Sequence, residues 1–525
     1  MNHALKLIPL AIALAFVIVN ARIISVRPMH HDEANQAIRF GDLLEGRGYR
    51  YDPQGHHGPT LYYATLPAAC LAGAHDIAHC TEATIRSVPL AATALLILLV
   101  GCQGAVFGNL TAILAAALTA ISAPFVFYST YYIQEPLMVL FVAAALAAAA
   151  RWQPSQPRSV WLPLAAFFIG LAAASKETWL ITVFAIFCAG IALAILHRHD
   201  ISLARNDLKR YIPTLSAAII AFLLPIVVLY SSFFTNWSGP VDAVRGLFQG
   251  AAQSSQEDFA QPWTYFIQRL IWHKTAPGPV WTEWPLIVAA IVGTIAAFLP
   301  KISLGKRLPL QFLAIYAIVQ LIVYSAIPYK TPWCILNVWQ PVIILSAAGF
   351  AIFLTNGKLW GRIICACVLI AVSVHQISQS QQTCGRYCAD PRNPYVYSHT
   401  QRDLLNLVAR VREITLDKPE ENNVVIVATS SHQDAWPLPW YFRDRPDIEY
   451  RTDWPDDFTP APLPVFIVAT PDLEVDLKLD GYVWETHSLR PNFFLFLGVR
   501  QDRWDAWLAR RMKEASSPPK IDESF

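Results

Sequence analysis

Long apolar runs separated by short polar breaks dominate the first two thirds of the chain. Eleven of them approach the roughly 20 residues that a helix needs to cross a bilayer. They centre near Leu14, Leu95, Ala117, Ala143, Phe168, Ile186, Phe222, Val292, Ile318, Leu345 and Val368. Several contain Pro or Gly, which membrane helices tolerate. From about Ser378 the pattern changes to charged and Pro-rich stretches. There Asn423–Thr429 and Pro464–Thr470 read as strands, with Tyr482–Thr486 and Phe493–Val499 as weaker ones. Arg402–Arg412 and Trp504–Lys513 carry helical apolar spacing. The pattern predicts an α-helical polytopic membrane protein of about 11 transmembrane helices over residues 1–378. Residues 379–525 are expected to form a soluble α/β domain.

Composition supports this division. Of the 525 residues 54% are hydrophobic and 15% charged, against roughly 25% charged in soluble domains. The net charge of +2 and the lack of a long basic cluster set nucleic-acid binding aside. Met1–Arg27 lacks a small-x-small cleavage pattern before Pro28, so it reads as a retained first span. No internal repeat stands out, which weakens transporter folds built from related halves. Cys70 with Cys80, and Cys384 with Cys388, lie in loops where either disulfides or free thiols would serve.

Lys and Arg orient the spans. Arg151 and Arg158, then Arg198, Arg205, Lys209 and Arg210, then Lys301, Lys306 and Arg307, then Lys358 and Arg362 fall in alternating short loops. These loops are assigned to the cytoplasm. The opposite loops (His30–Ala83, Ser129–Glu135, Ser175–Thr178, Asn236–Trp284 and Ile327–Pro332) and the C-terminal domain are then extracytoplasmic, on the inner membrane of the cell.

The unusual polar residues collect on that side. His30-His31-Asp32-Glu33 follows the first span. Tyr51-Asp52-Pro53 precedes His56-His57-Gly58-Pro59. Glu135 ends one apolar run, Lys176-Glu177 fill a short turn, and Lys330 precedes Thr331-Pro332-Trp333. Ionisable groups beside hydrocarbon need partners or water, so their shared sidedness suggests one hydrated cavity. Each could instead cap a helix or snorkel to the interface. Asp32 is placed as N-cap of a helix over Glu33–Glu45, with a stripe of Ala34, Ala37, Ile38 and Leu44 and Gly46 at its end, lying flat on the membrane. Pro59–Leu71 is a second interfacial candidate, with Pro at its first turn and Gly73 beyond it. A divalent cation on Asp32, Glu135 and His57 is the one cofactor these residues leave open.

The ordered series His31-Asp32-Glu33, Tyr51-Asp52-Pro53, His57-Gly58-Pro59, Lys330-Thr331-Pro332-Trp333, Asn393-Pro394-Tyr395-Val396-Tyr397 and Trp436-Pro437-Leu438-Pro439-Trp440-Tyr441 covers most of the chain. It resembles the C-type (GT-C) membrane glycosyltransferase superfamily, which includes protein O-mannosyltransferases, the lipid A aminoarabinose transferase and oligosaccharyltransferases. Within it, the series is most similar to the flippase-activity-associated family of archaea and bacteria. The resemblance implies a polyprenyl-phosphate-linked sugar donor, a glycan, lipid or protein acceptor, and inverting transfer. It implies Asp32 as general base, with Glu33 and Glu135 in support or holding a metal. Family members often have Asp where Glu135 stands. A phosphate leaving group calls for cations, and His56, His57, Lys176 and Lys330 are the candidates, with Arg50 and Arg86 behind them. Asp52, Tyr51 and Glu177 are candidates for supporting the acceptor. The rival function is a non-catalytic accessory of lipid-linked oligosaccharide export. Trp436–Tyr441 is expected to anchor or pack the soluble domain rather than stack on sugar.

Overall fold

The computed structural model describes residues 3–53, 57–153, 155–156, 158–198, 208–254, 260–300, 307–415, 425–429, 431–452, 464–473 and 480–516. It contains two compact units. The first comprises Met1–Val26, Arg39–Cys388 and Arg392–Tyr397; the second comprises Arg27–Ile38, Ala389–Pro391 and Ser398–Phe525.

The first unit is helical because its sequence leaves little choice. In hydrocarbon each backbone N–H and C=O must be satisfied within the segment, and an apolar run does this as a helix. Among the described residues six helices are long and apolar enough to cross a membrane: Glu82–Gly101, Trp179–Leu196, Arg210–Tyr230, Arg307–Ala326, Pro332–Asn356 and Leu359–Cys384. Asn109–Ile121 and Ala123–Ser129, bent by 59° at Ser122, make a seventh if counted as one span. Leu7–Ala21, Glu135–Ala149, Trp161–Ala173 and Trp284–Phe298 are apolar but shorter. Each predicted centre lies on one of these eleven segments, while length alone supports six or seven crossings. Fifteen residues rise about 22 Å, less than the roughly 30 Å hydrocarbon thickness.

Polar side chains tie these helices together from within. Trp339 Nε1 donates to Ser122 Oγ at 2.8 Å, and Gln340 pairs with Thr119 at 3.3 Å. Where Trp284–Phe298 crosses Ile335–Asn356, a Cβ on Gly293 would meet the Leu345 carbonyl at 2.0 Å, and one on Gly349 the Ala289 carbonyl at 2.1 Å. Only glycine permits that approach, the small-residue contact by which membrane helices pack. Cys80, Cys384 and Cys388 are buried, whereas Cys70 is exposed.

The second unit is built on a five-stranded sheet of order β2-β1-β3-β5-β4. The strands are β1 (Val425–Ala428), β2 (Ile448–Arg451), β3 (Phe466–Ala469), β4 (Tyr482–Arg490) and β5 (Phe493–Arg500). β1 runs parallel to β2 and β3; β5 runs antiparallel to β3 and β4. Helix Asp403–Thr415 buries Leu404, Leu407, Val408, Val411 and Ile414. Its Arg410 forks onto Glu485 at 2.9 and 3.0 Å and stacks over Trp507 of helix Gln501–Ser516. The four predicted strands and two predicted helices of this domain are all present; β2 is additional.

Candidate functional site

The helix expected to begin at Glu33, with Asp32 as its cap, begins earlier. The helix spans His31–Leu44, and its first turn closes with Ala34 N–H donating to the His30 carbonyl at 2.9 Å. His30, not Asp32, is therefore the cap. The His30 ring accepts the Asp32 N–H at 3.0 Å, and the Glu33 carboxylate accepts the His30 N–H at 3.0 Å. This is the reciprocal logic of a capping box, with histidine in the usual Ser/Thr place. Gly46, at φ +75°, lies just past the end of the helix as expected.

These bonds give the two neighbouring acids opposite environments. Glu33 is wholly buried and also meets Arg27 at 3.3 Å, a guanidinium that is itself 4% exposed. Asp32 keeps 43% of its side chain exposed, and its carboxylate stands 3.8 Å from the His30 ring. Glu33 is thus bound into the scaffold, while the Asp32 carboxylate is presented.

What holds this segment is the second unit itself. The buried Met29 N–H donates to the Tyr441 hydroxyl at 2.8 Å. The His30 ring lies 4.8 Å from that of His399, and His31 lies 6.1 Å from Trp436. Trp440 is completely buried, with Arg443 stacked 4.0 Å over its ring. The Trp-Pro-Leu-Pro-Trp-Tyr motif therefore packs the acid-bearing segment. Leaving a buried N–H without a partner costs about 1–3 kcal/mol. Tyr441→Phe is accordingly expected to loosen residues 27–33, read as faster amide exchange there with the exchange of β3 and β5 unchanged.

Within the first unit the fold gathers four of the expected residues into two linked pairs. The buried Lys176 ammonium donates to Glu135 Oε1, though 41 residues separate them. Glu135 begins its helix, with Pro136 in the first turn; Lys176 lies in the turn between Trp161–Ala173 and Trp179–Leu196. The other Glu135 oxygen is buried without a hydrogen-bond partner. Burial works to lower the Lys176 pKa, but Glu135 outweighs it and the net shift is upward, so Lys176 stays charged.

Next in the chain, Glu177 meets His57 Nδ1 at 2.8 Å and accepts from the Tyr51 hydroxyl at 3.4 Å. Burial works to raise the Glu177 pKa, while His57 and Lys176 pull it below the usual carboxylate range. Burial, with Glu177 beside it, drives Tyr51 ionisation well upward, so Tyr51 serves as a neutral donor. Asp52 is partly buried and adds negative charge near Tyr51. The loop is pinned beneath this cluster by Gly58 N–H to the Ser175 carbonyl and Thr60 N–H to the Ala174 carbonyl. Tyr230 stands edge-on to Tyr51 at 4.9 Å, and Tyr49 packs on Tyr62 at 5.0 Å, forming an aromatic wall. Trp333 lies 5.9 Å from the Lys176 ammonium.

Other expected residues go elsewhere. Lys330 donates to the carbonyls of Gln261 and Ile327. Arg86 is buried and donates to the Ile24 carbonyl at 2.9 Å, while Arg50 is exposed. His56 lies outside the described residues. Among the described residues no three His, Cys, Asp or Glu side chains gather as metal ligands. Lys176 holds one Glu135 oxygen and Glu177 holds His57 Nδ1, while the second Glu135 oxygen has no hydrogen-bond partner among the described residues.

One buried acid escaped sequence reasoning. Glu283 precedes helix Trp284–Phe298, is 0% exposed, and accepts from Tyr395 at 3.0 Å and from Gln376 and Gln379. The signal was Gln376-x-x-Gln379, two amides on one face of an apolar helix with no other reason to be there.

Residues 71–237 match the family model of dolichyl-phosphate-mannose-protein mannosyltransferases, a stretch that includes Glu135, Lys176 and Glu177. Among solved structures, ArnT from Cupriavidus metallidurans bound to undecaprenyl phosphate is similar at TM-score 0.60 and 14% identity, covering 95% of this chain and 98% of that one. The oligosaccharyltransferase AglB from Archaeoglobus fulgidus, in complex with an inhibitory peptide and a dolichol-phosphate, is similar at TM-score 0.52 and 14% identity, covering 94% and 74%. No curated protein sequence matches the chain. The chain is a multi-pass membrane protein with the fold of the C-type glycosyltransferases.

Proposed function

We propose that this protein is a membrane glycosyltransferase that moves a sugar from a polyprenyl-phosphate donor to an extracytoplasmic acceptor with inversion. One observation carries it: a buried, charged lysine held by Glu135 beside the His57–Glu177–Tyr51 cluster, in a chain with this fold. An ammonium at such a depth is costly unless it serves an anion. Lipid-linked phosphate is the anion that is confined to the membrane surface.

In the proposed step the Asp32 carboxylate takes the proton of the acceptor hydroxyl. The hydroxyl oxygen bonds to the anomeric carbon from the face opposite the phosphate. The carbon–oxygen bond to phosphate breaks, and polyprenyl phosphate leaves as an anion. Lys176 keeps N–H groups beyond the one given to Glu135, and Lys330 keeps one beyond its two carbonyl partners; both, with His56 and His57, neutralise the leaving phosphate. Glu33 fixes the turn that presents Asp32. Asp52, Tyr51 and Glu177 support the acceptor. The alternation of Lys and Arg among the loops supports placing this site and the C-terminal domain outside the cytoplasm, on the inner membrane.

Purified protein incubated with a panel of polyprenyl-phosphate sugars, with and without chelator, is expected to release polyprenyl phosphate and form a glycosylated product. The chelator arm reports whether a divalent cation takes part in the transfer. Absence of product across the panel, with export of lipid-linked oligosaccharide still dependent on the protein, would establish the accessory role instead.

A further inference from the structure

A cavity of about 650 Å³ lies inside the membrane-spanning unit and away from the Glu135–Lys176 pair. It follows the helix Glu135–Ala149 from Val139 to its far end, where Trp152 and Arg307 line it. That helix rises about 22 Å, which directs the mouth at Trp152 and Arg307 toward the membrane face opposite to the charged pair. The shaft between is walled by side chains such as Val142, Leu146, Phe312 and Ile344, and no acid lines it.

Three observations say what such a shaft would take. A mostly apolar shaft of this size, left empty, forfeits the packing contacts of its lining; hydrocarbon restores them. At the mouth, Trp152 Nε1 is a buried donor without a partner, and the Arg307 guanidinium spends Nη1 on the Leu299 carbonyl while its other N–H groups have no partner among the described residues. Donors in that arrangement suit an ester carbonyl and a phosphate oxygen. At the inner end, Asn337 is 4% exposed with both amide atoms unpartnered, which sets a polar stop to the hydrocarbon.

We propose that this cavity binds one anionic phospholipid from the leaflet opposite the transfer site, with an acyl chain in the shaft and the phosphate on Arg307. The lipid fills the bundle behind Glu135 and braces the helix that carries it.

The test uses the full-length protein purified in mild detergent. Native mass spectrometry is expected to find one phosphatidylglycerol-class lipid retained per chain. After delipidation, phosphatidylglycerol should raise the unfolding temperature and phosphatidylcholine should not. Arg307→Gln should weaken retention by about tenfold, the effect of losing one charge-assisted hydrogen bond. Ala143→Trp, which fills the shaft, should abolish retention and make the protein indifferent to added lipid; should that variant misfold, Arg307→Gln decides alone. Retention of a polyprenyl lipid in the wild type that A143W expels, equal response to both phospholipids, or retention unchanged by R307Q would overturn the proposal.

Discussion

Asp32→Asn is expected to reduce sugar transfer by about 10²–10⁴-fold, the range that a positioned general base contributes, without altering the fold. The physical case is the contrast with its neighbour. The Asp32 side chain is 43% exposed and stands 3.8 Å from the His30 ring, whose Nδ1 already accepts the Asp32 N–H, so asparagine replaces it without stripping a buried charge of its partner. The backbone N–H of Asp32 still caps on His30, because that bond does not involve the carboxylate. Glu33→Gln should do the reverse. It strips a wholly buried anion from a buried Arg27, and breaking such a pair costs about 3–5 kcal/mol. Thermal unfolding in detergent and single-turnover transfer, measured on both variants, separate the roles. D32N should unfold like the wild type with transfer lost; E33Q should unfold early. Wild-type transfer by D32N would remove the general base from the proposed chemistry.

The second large effect concerns the pair inside the membrane-spanning unit. Lys176→Met leaves Glu135 buried and uncompensated, and Glu135→Gln strands the Lys176 charge. Each single change is expected to destabilise by about 3–5 kcal/mol, whereas an apolar replacement of both partners often restores or exceeds the starting stability. The double variant Lys176→Met/Glu135→Leu should therefore unfold near the wild type yet remain inactive. That combination distinguishes a cation that serves the donor phosphate from one that only holds helices together. A double variant that recovers both stability and transfer would reduce the pair to a structural tie. With partial activity, the loss should appear in the KM for the lipid donor as well as in kcat, because Lys176 is proposed to meet the phosphate in both ground and transition states.

The C-terminal sheet shows how local patterning reaches tertiary structure and where it stops. Pro464–Thr470 was legible as a strand because Val465, Phe466, Ile467 and Val468 form a continuous apolar run, and β3 is the buried central strand that such a run requires. β2 was not legible. Ile448-Glu449-Tyr450-Arg451 is four residues long and half charged, the composition of a short edge strand, and β2 is indeed an edge. Its pairing with β1 supplies what its own sequence lacks.

By itself the sequence determined the apolar helices and the strands of the C-terminal sheet, because these rest on one-dimensional quantities: run length and period. The cost of an unsatisfied peptide group in hydrocarbon acts on every residue of a span, so it writes itself into the chain. Only the tertiary structure decided that Lys176 reaches Glu135 while Lys330 turns to backbone carbonyls, and that residues 27–38 fold with the C-terminal unit through Tyr441. Those choices depend on which distant group satisfies a given donor. Several partners are chemically equivalent on paper, and packing admits one.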